Sequence, residues 1–328
     1  MGDVRKVAFL GTGIMGSAIA GHLLDAGYEL SVYNRTKEKA DALVARGAMW
    51  ADSVAEAAED ADVVFTMLGY PEDVESVYLS SSGLVRACKK GAWMVDLTTS
   101  SPRLARDIFD ASVAMGKHAV DCPVTGGEEG AKAGTLTLML GCDEEAVAPI
   151  LPLLQTFSSR IMCFGHAGAG QAAKLCNQVA LAANMVGYAE ALSLAEQAEL
   201  NQDLVRELVL SGTGSSRAME VLAPLSLDGD YRARFRSEHM LKDLGLALSE
   251  AEELQLSLPG TESAHALFNM LCEVGGARLG TQAISLLYQD EASCVAAGLD
   301  WSSLNTEDDE ECDGKCDGEG CCHHCREE

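Results

Sequence analysis

Residues 11–16 read Gly11-Thr-Gly13-Ile14-Met15-Gly16, a G-x-G-x-x-G spacing. Beside a diphosphate, each glycine has its own task. Gly11 permits a tight turn, Gly13 lets the backbone approach the phosphates, and Gly16 lets a helix pack close to a strand. The turn follows an apolar run at 7–10 and opens a helical stretch to residue 26, which Gly27 ends. A pyrophosphate is then expected at the helix N-terminus, beside Ile14 and Met15, where free N–H groups and the helix dipole favour an anion. The chemistry implied is binding of a dinucleotide.

The second apolar run ends Asn34-Arg35-Thr36. A carboxylate is usual about 20 residues beyond the glycine turn, where it reads the adenosine ribose. Here an Arg stands instead, and its planar fork suits a 2′-phosphate. The expectation is NADP, with NAD as second choice. Leu68, Gly69 and Asp73, which follow the next apolar run, are assigned to the same cofactor cradle.

The elements that must position these residues alternate in type. Runs at 7–10, 30–33, 63–68, 93–97, 119–121 and 135–140 read as strands, with helical stretches between them at 37–46 and 103–115. This predicts a mostly parallel, helix-covered sheet. After a glycine-rich break at 165–170, the chain reads helical: a long Ala-rich stretch at 171–200, then 202–211, 238–254, 263–275 and 281–297. The expected architecture is an α/β Rossmann domain (1–165) followed by an all-α domain built around one long helix (166–304). Residues 305–328 form an acidic Cys/His-rich tail, read as disordered.

Composition narrows the functional classes. The net charge of -26 over 328 residues argues against nucleic acid as a partner, because phosphate binding needs clustered cations. No apolar run reaches the roughly 18–20 residues of a membrane span. The chain enters a strand at once, with no targeting signal visible, which reads as cytoplasmic. Scattered thiols in the body fit a reducing compartment. The tail cysteines and histidines between Cys312 and Cys325 could take a soft metal adventitiously, but their irregular spacing fits no standard module, so no metal site is assigned.

Three more motifs stand in order. Asp96-Leu-Thr98-Thr99-Ser-Ser-Pro102 follows the fourth run and Asp121-Cys-Pro123-Val-Thr125-Gly126-Gly127 the fifth. Gly165-x-x-Gly168-x-Gly170-x-x-x-Lys174-x-x-Asn177 opens the long helix. With the glycine turn, they make residues 5–300 resemble the β-hydroxyacid dehydrogenase family, which includes 3-hydroxyisobutyrate dehydrogenase and the glyoxylate/succinic semialdehyde reductases. The resemblance implies an active site between the two domains and a homodimer or homotetramer formed through the long helix. It casts Lys174 as the catalytic lysine and Asn177 as its substrate-contacting partner. Thr98 and the turn Thr125-Gly126-Gly127 would hold a substrate carboxylate. Thr99 and Lys242 of a Lys242-Asp243 pair would lie near the cofactor. The chain departs from the family where Thr replaces a frequent Ser at 98 and 125, and where Gln178 replaces a frequent second Asn.

The chemistry suits these residue types. Hydride transfer at a carbonyl carbon builds negative charge on its oxygen, and a lysine can donate the proton in reduction or accept it in oxidation. Burial would bring its pKa toward the working range. Positions 174 and 177 share a helix face. The expected activity is NAD(P)-dependent interconversion of a small 3-hydroxy acid (or a 2- or 4-hydroxy acid) and its aldehyde or semialdehyde, with a small carboxylate as substrate; the resemblance implies an NADPH-linked glyoxylate/succinic semialdehyde reductase or a 3-hydroxyisobutyrate dehydrogenase-like enzyme. The alternatives are a non-catalytic dinucleotide-binding scaffold, or an imine reductase-like enzyme, a scaffold that commonly lacks the lysine.

Overall fold

A computed structural model describes residues 4–304, so the Cys/His-rich tail lies outside the described residues. Six strands, β1 (Lys6–Leu10), β2 (Glu29–Tyr33), β3 (Met49–Trp50), β4 (Val63–Thr66), β5 (Trp93–Asp96) and β6 (His118–Asp121), form one sheet in the order β3-β2-β1-β4-β5-β6. Every pairing in it is parallel. Alternate residues face opposite sides of a strand, and both sides are buried here. Val7, Phe9, Val63, Phe65 and Val95 enter one core. Ala8, Leu10, Val64 and Met94 enter another on the far face. This double burial explains why these strands read as continuous apolar runs.

The run at 135–140 departs from expectation. It forms β8 (Leu136–Leu140) of a separate three-stranded sheet, flanked by β7 (Val124–Thr125), antiparallel, and β9 (Ser158–Cys163), parallel. Pro123 follows β6 by two residues and has no N–H to extend the ladder. The chain turns there, and β8 folds back beside it, with Met139 N–H on the Pro123 carbonyl at 3.0 Å and Gly141 N–H on that of Asp121 at 2.9 Å.

Two expected helices are also interrupted. Residues 37–46 are a 3₁₀ turn, Lys37–Ala40, followed by the short helix Asp41–Ala45. Residues 281–297 are a 3₁₀ segment, Thr281–Tyr288, then a helix Glu291–Ala296 that restarts because the Asp290 side chain accepts the Ser293 N–H at 2.7 Å. A helix unseen in the sequence, Pro71–Leu79, follows β4, with its proline in the first turn.

The long helix runs Ala169–Gln197, about 44 Å at 1.5 Å per residue. Its Met185, Tyr188 and Leu192 pack with Met240 and Leu244 of helix Ser237–Glu253 and Phe268 and Leu271 of helix Pro259–Glu273. Its N-terminus is fastened to the carboxyl ends of β5 and β6. Asp121 accepts the N–H groups of Gly168 at 2.9 Å and Gln171 at 2.8 Å. The buried Gln171 side chain donates to the Thr98 carbonyl at 2.8 Å and accepts the Ser100 N–H at 2.9 Å. A side chain at Gly170 would strike the Met139 carbonyl, so the glycine there is what permits such close docking. Lys174 sits one turn beyond this junction. Among the described residues, no helix is long and apolar enough to cross a membrane.

Candidate active site

The glycine turn lies between β1 and helix Ile14–Asp25. Gly11 N–H bonds the Tyr33 carbonyl at 2.9 Å. Asn34 braces the turn from β2: its Oδ1 accepts the Thr12 N–H at 3.0 Å, and its Nδ2 donates to the Thr36 carbonyl at 2.7 Å. A Cβ at Gly16 would collide with the Gly11 carbonyl. A Cβ at Gly13 would meet nothing within 4 Å, because Gly13 faces open space. That space is the cradle a pyrophosphate requires, bare of side chains at the N-terminus of a helix whose cap residue supplies no side-chain bond. The residues present therefore fit a dinucleotide.

The cradle opens into a cleft of about 680 Å³. Gly11, Gly13, Ile14, Met15, Gly16, Asn34, Arg35, Leu68, Gly69 and Asp73 of the sequence-based assignment all line it. Thr36, Thr99 and Lys242 of that assignment do not line it; Thr36 serves as the acceptor for Asn34. The opposite wall was missed in the sequence. It comes from the segment before and at the start of helix Ser237–Glu253, where Phe235 packs beside His239 and His239 meets Tyr70 of the Rossmann side. His239 lies edge-on to Tyr70 with ring centroids 5.7 Å apart. Burial, with Lys242 nearby, lowers the His239 pKa, so its ring is the more readily neutral. The signal available in the sequence was Phe235-x-x-x-His239, immediately upstream of Lys242-Asp243.

The second part of the site is a polar network across the two halves of the molecule. Lys242 Nζ donates to the Thr99 carbonyl at 2.6 Å and pairs with Asp243 Oδ1 at 3.0 Å. Its side chain is only 13% exposed, so it is no ordinary surface lysine. Asp243 Oδ2 accepts Gln178 Nε2 at 2.6 Å, and Gln178 Oε1 accepts Asn177 Nδ2 at 2.8 Å. Gln178, whose role the sequence left in doubt, is thus the fully buried link between Asn177 and Asp243. Lys174 is buried on the same helix. Burial pulls its pKa down to about 8; Asp243 opposes that shift and Lys242 adds to it.

The Thr98 hydroxyl, expected to hold a substrate carboxylate, is buried and accepts the Leu68 N–H at 2.9 Å. It also hydrogen-bonds Asp96, whose pKa burial raises to about 6. Thr98 therefore joins the β4 and β5 loops from within. Thr125 is partly exposed, and Gly126 and Gly127 are exposed. Thr125 ends β7 and the two glycines follow it; the neighbouring β8 packs against the long helix.

A parallel Rossmann sheet, a glycine cradle opening into a cleft, and a buried lysine on the long helix whose charge is coupled to Lys242 and Asp243 define a nicotinamide-dependent oxidoreductase. Residues 6–165 match the family model described as the NAD binding domain of 6-phosphogluconate dehydrogenase. Residues 168–288 match that described as NAD-binding of NADP-dependent 3-hydroxyisobutyrate dehydrogenase. A probable 3-hydroxyisobutyrate dehydrogenase-like mitochondrial protein of Arabidopsis thaliana is 39% identical, over 86% of this chain and 84% of its own. The NAD-dependent L-serine dehydrogenase of Pseudomonas aeruginosa is 36% identical, over 87% of this chain and 98% of its own. The structure of Mycobacterium tuberculosis 3-hydroxyisobutyrate dehydrogenase with L-serine superposes with TM-score 0.81 at 30% identity, covering 88% of this chain and 100% of that one. An imine reductase from Myxococcus stipitatus, at 18% identity and TM-score 0.58, shares the fold alone. The chain belongs to the β-hydroxyacid dehydrogenase family and is an NAD(P)-dependent hydroxyacid dehydrogenase.

Proposed function

We propose that the substrate is a small β-hydroxy acid of the L-serine or 3-hydroxyisobutyrate type, or the corresponding semialdehyde, and that Lys174 exchanges the proton at its reacting oxygen. The observation that carries this reading is the burial of Lys174 beside Asp243, with its pKa brought to about 8. An amine so poised is an ammonium that can donate or a neutral base that can accept, within a narrow pH range. The bound nicotinamide cofactor supplies the hydride chemistry. Asn177, three residues on and hydrogen-bonded to Gln178, would fix the substrate oxygen beside Lys174, a role its shared helix face supports. Gly126 and Gly127 offer backbone N–H groups to the carboxylate. Lys242 holds the Thr99 loop at the cofactor side.

Arg35 supports NADP as the preferred cofactor, being 80% exposed at the rim of the cleft where a 2′-phosphate would lie. The reading extends to a homo-oligomer. Leu194, Leu204 and Leu208 are 71%, 63% and 70% exposed near the far end of the long helix and on the helix after it, the kind of apolar surface a second copy covers.

The test is a panel of L-serine, 3-hydroxyisobutyrate, glyoxylate and succinic semialdehyde, each assayed with both cofactors. kcat/KM should be highest for a three- or four-carbon β-hydroxy acid or its aldehyde with NADP(H). Equal or absent turnover across the panel refutes the substrate class, and a clear NAD preference refutes the cofactor assignment.

A further inference from the structure

The end of β2 carries no acid, and Asn34 is spent on Thr12 and Thr36. A carboxylate reaches this position from a different element. Asp73, in the first turn of helix Pro71–Leu79, reaches Arg35 with Oδ1 3.0 Å from Nη1 and Oδ2 3.5 Å from Nη2. Both residues line the cleft, as does Lys39. The pair is asymmetric, because the Asp73 side chain is 23% exposed and that of Arg35 80%. The guanidinium is thus the more solvent-accessible partner of the two. An exposed pair of this kind is weak and screened, so a dianionic phosphate can displace it.

We propose that Asp73 and Arg35 act as a two-way selector of the cofactor, with Asp73 as a specificity-determining residue. The inference rests on the reading of Arg35 as the 2′-phosphate residue. When the ribose carries a free 2′-hydroxyl, Asp73 is available to accept its hydrogen bond, replacing the acid that β2 lacks. When the ribose carries a 2′-phosphate, Arg35 leaves Asp73 for the phosphate, and Lys39 adds a second cation. The Asp73 charge then opposes the phosphate and moderates the preference for NADP. The selector is thus assembled from the loop after β2 and the first turn of helix Pro71–Leu79, and the same site admits both cofactors.

The experiment measures binding without turnover. The full chain and its Asp73→Asn, Asp73→Glu, Arg35→Ala and double Asp73→Asn/Arg35→Ala variants are titrated calorimetrically with adenosine 2′,5′-bisphosphate and with ADP. Asp73→Asn should tighten the 2′-phosphate probe by about five- to tenfold and weaken ADP a few-fold. Asp73→Glu should restore the parent ratio of the two affinities, and the Asn effect on the phosphate probe should shrink in the Arg35→Ala background. Equal changes for both probes, or none, overturn the role of Asp73. If Arg35→Ala weakens the phosphate probe tenfold while Asp73→Asn is silent, the Arg35 reading stands and the selector falls. If Arg35→Ala is itself silent, both fall.

Discussion

Gln178 donates its side-chain amide to Asp243 at 2.6 Å while accepting that of Asn177 at 2.8 Å. One buried amide thus ties Asn177, proposed to orient the substrate, to Asp243, the acid whose charge acts on Lys174. Replacing Gln178 with Ala leaves Asn177 without its partner and Asp243 Oδ2 without its donor. We expect kcat to fall about tenfold or more and KM for the hydroxy acid to rise, with cofactor Kd within twofold of the parent. A change confined to cofactor binding would contradict this assignment.

Lys174→Ala should lower kcat by about three orders of magnitude while leaving cofactor affinity unchanged. Near-normal steady-state turnover in this variant would remove Lys174 from the mechanism.

The pH dependence follows from the Lys174 value of about 8. Oxidation needs the neutral amine, so its kcat/KM should rise as pH increases through about 8. Reduction needs the ammonium, so its kcat/KM should fall through the same region. Initial rates in both directions from pH 6 to 10 check this, and parallel profiles would be inconsistent with a shared acid–base group.

The same burial costs stability. The folded-state pKa of about 8 lies below the ordinary value of 10.5, so the unfolded chain binds more protons and stability from this group rises as pH increases from about 8 to 10.5. Below pH 8 the full cost applies, on the order of 3 kcal/mol. Lys174→Met should therefore melt no lower than the parent at pH 7, measured by thermal denaturation, despite losing activity.

Two cradle glycines should separate folding from binding. Gly13 has φ -71 and ψ -165, accessible to alanine, and open space around its Cβ position. Gly13→Ala should keep its Tm within about 2 °C and lose cofactor affinity by about tenfold or more. Gly16→Ala pushes a methyl onto the Gly11 carbonyl, so it should lower both Tm and affinity. Calorimetry and cofactor fluorescence together distinguish the two outcomes.

Much of this molecule is legible in local pattern. The glycine spacing, the apolar runs buried on both faces of the sheet and the long Ala-rich helix are written within windows of a few to thirty residues. The run at 135–140 misleads because an apolar strand does not name its sheet; Pro123 and the return of the chain beside Asp121 decide that. Thr98 is ambiguous for a related reason. A hydroxyl after a strand serves a ligand or the fold equally well, and only the folded chain shows this one bonded to Leu68 and Asp96. The helix at 71–79 and the wall containing Phe235 and His239 carry no strong periodicity of their own.

The sequence by itself determined that the chain binds a dinucleotide, that Arg35 replaces the usual ribose acid, and that Lys174 and Asn177 share one helix face. Each depends on residue type and short spacing. Tertiary structure alone decided the state of those groups. Lys242 meets Thr99 across 143 positions, Gln178 meets Asp243 across 65, and Asp121 caps Gln171 across 50. A pKa depends on what surrounds a group, and the surroundings of Lys174 come from a helix some seventy residues away. No local reading contains that information, because burial and charge proximity exist only once the chain has folded.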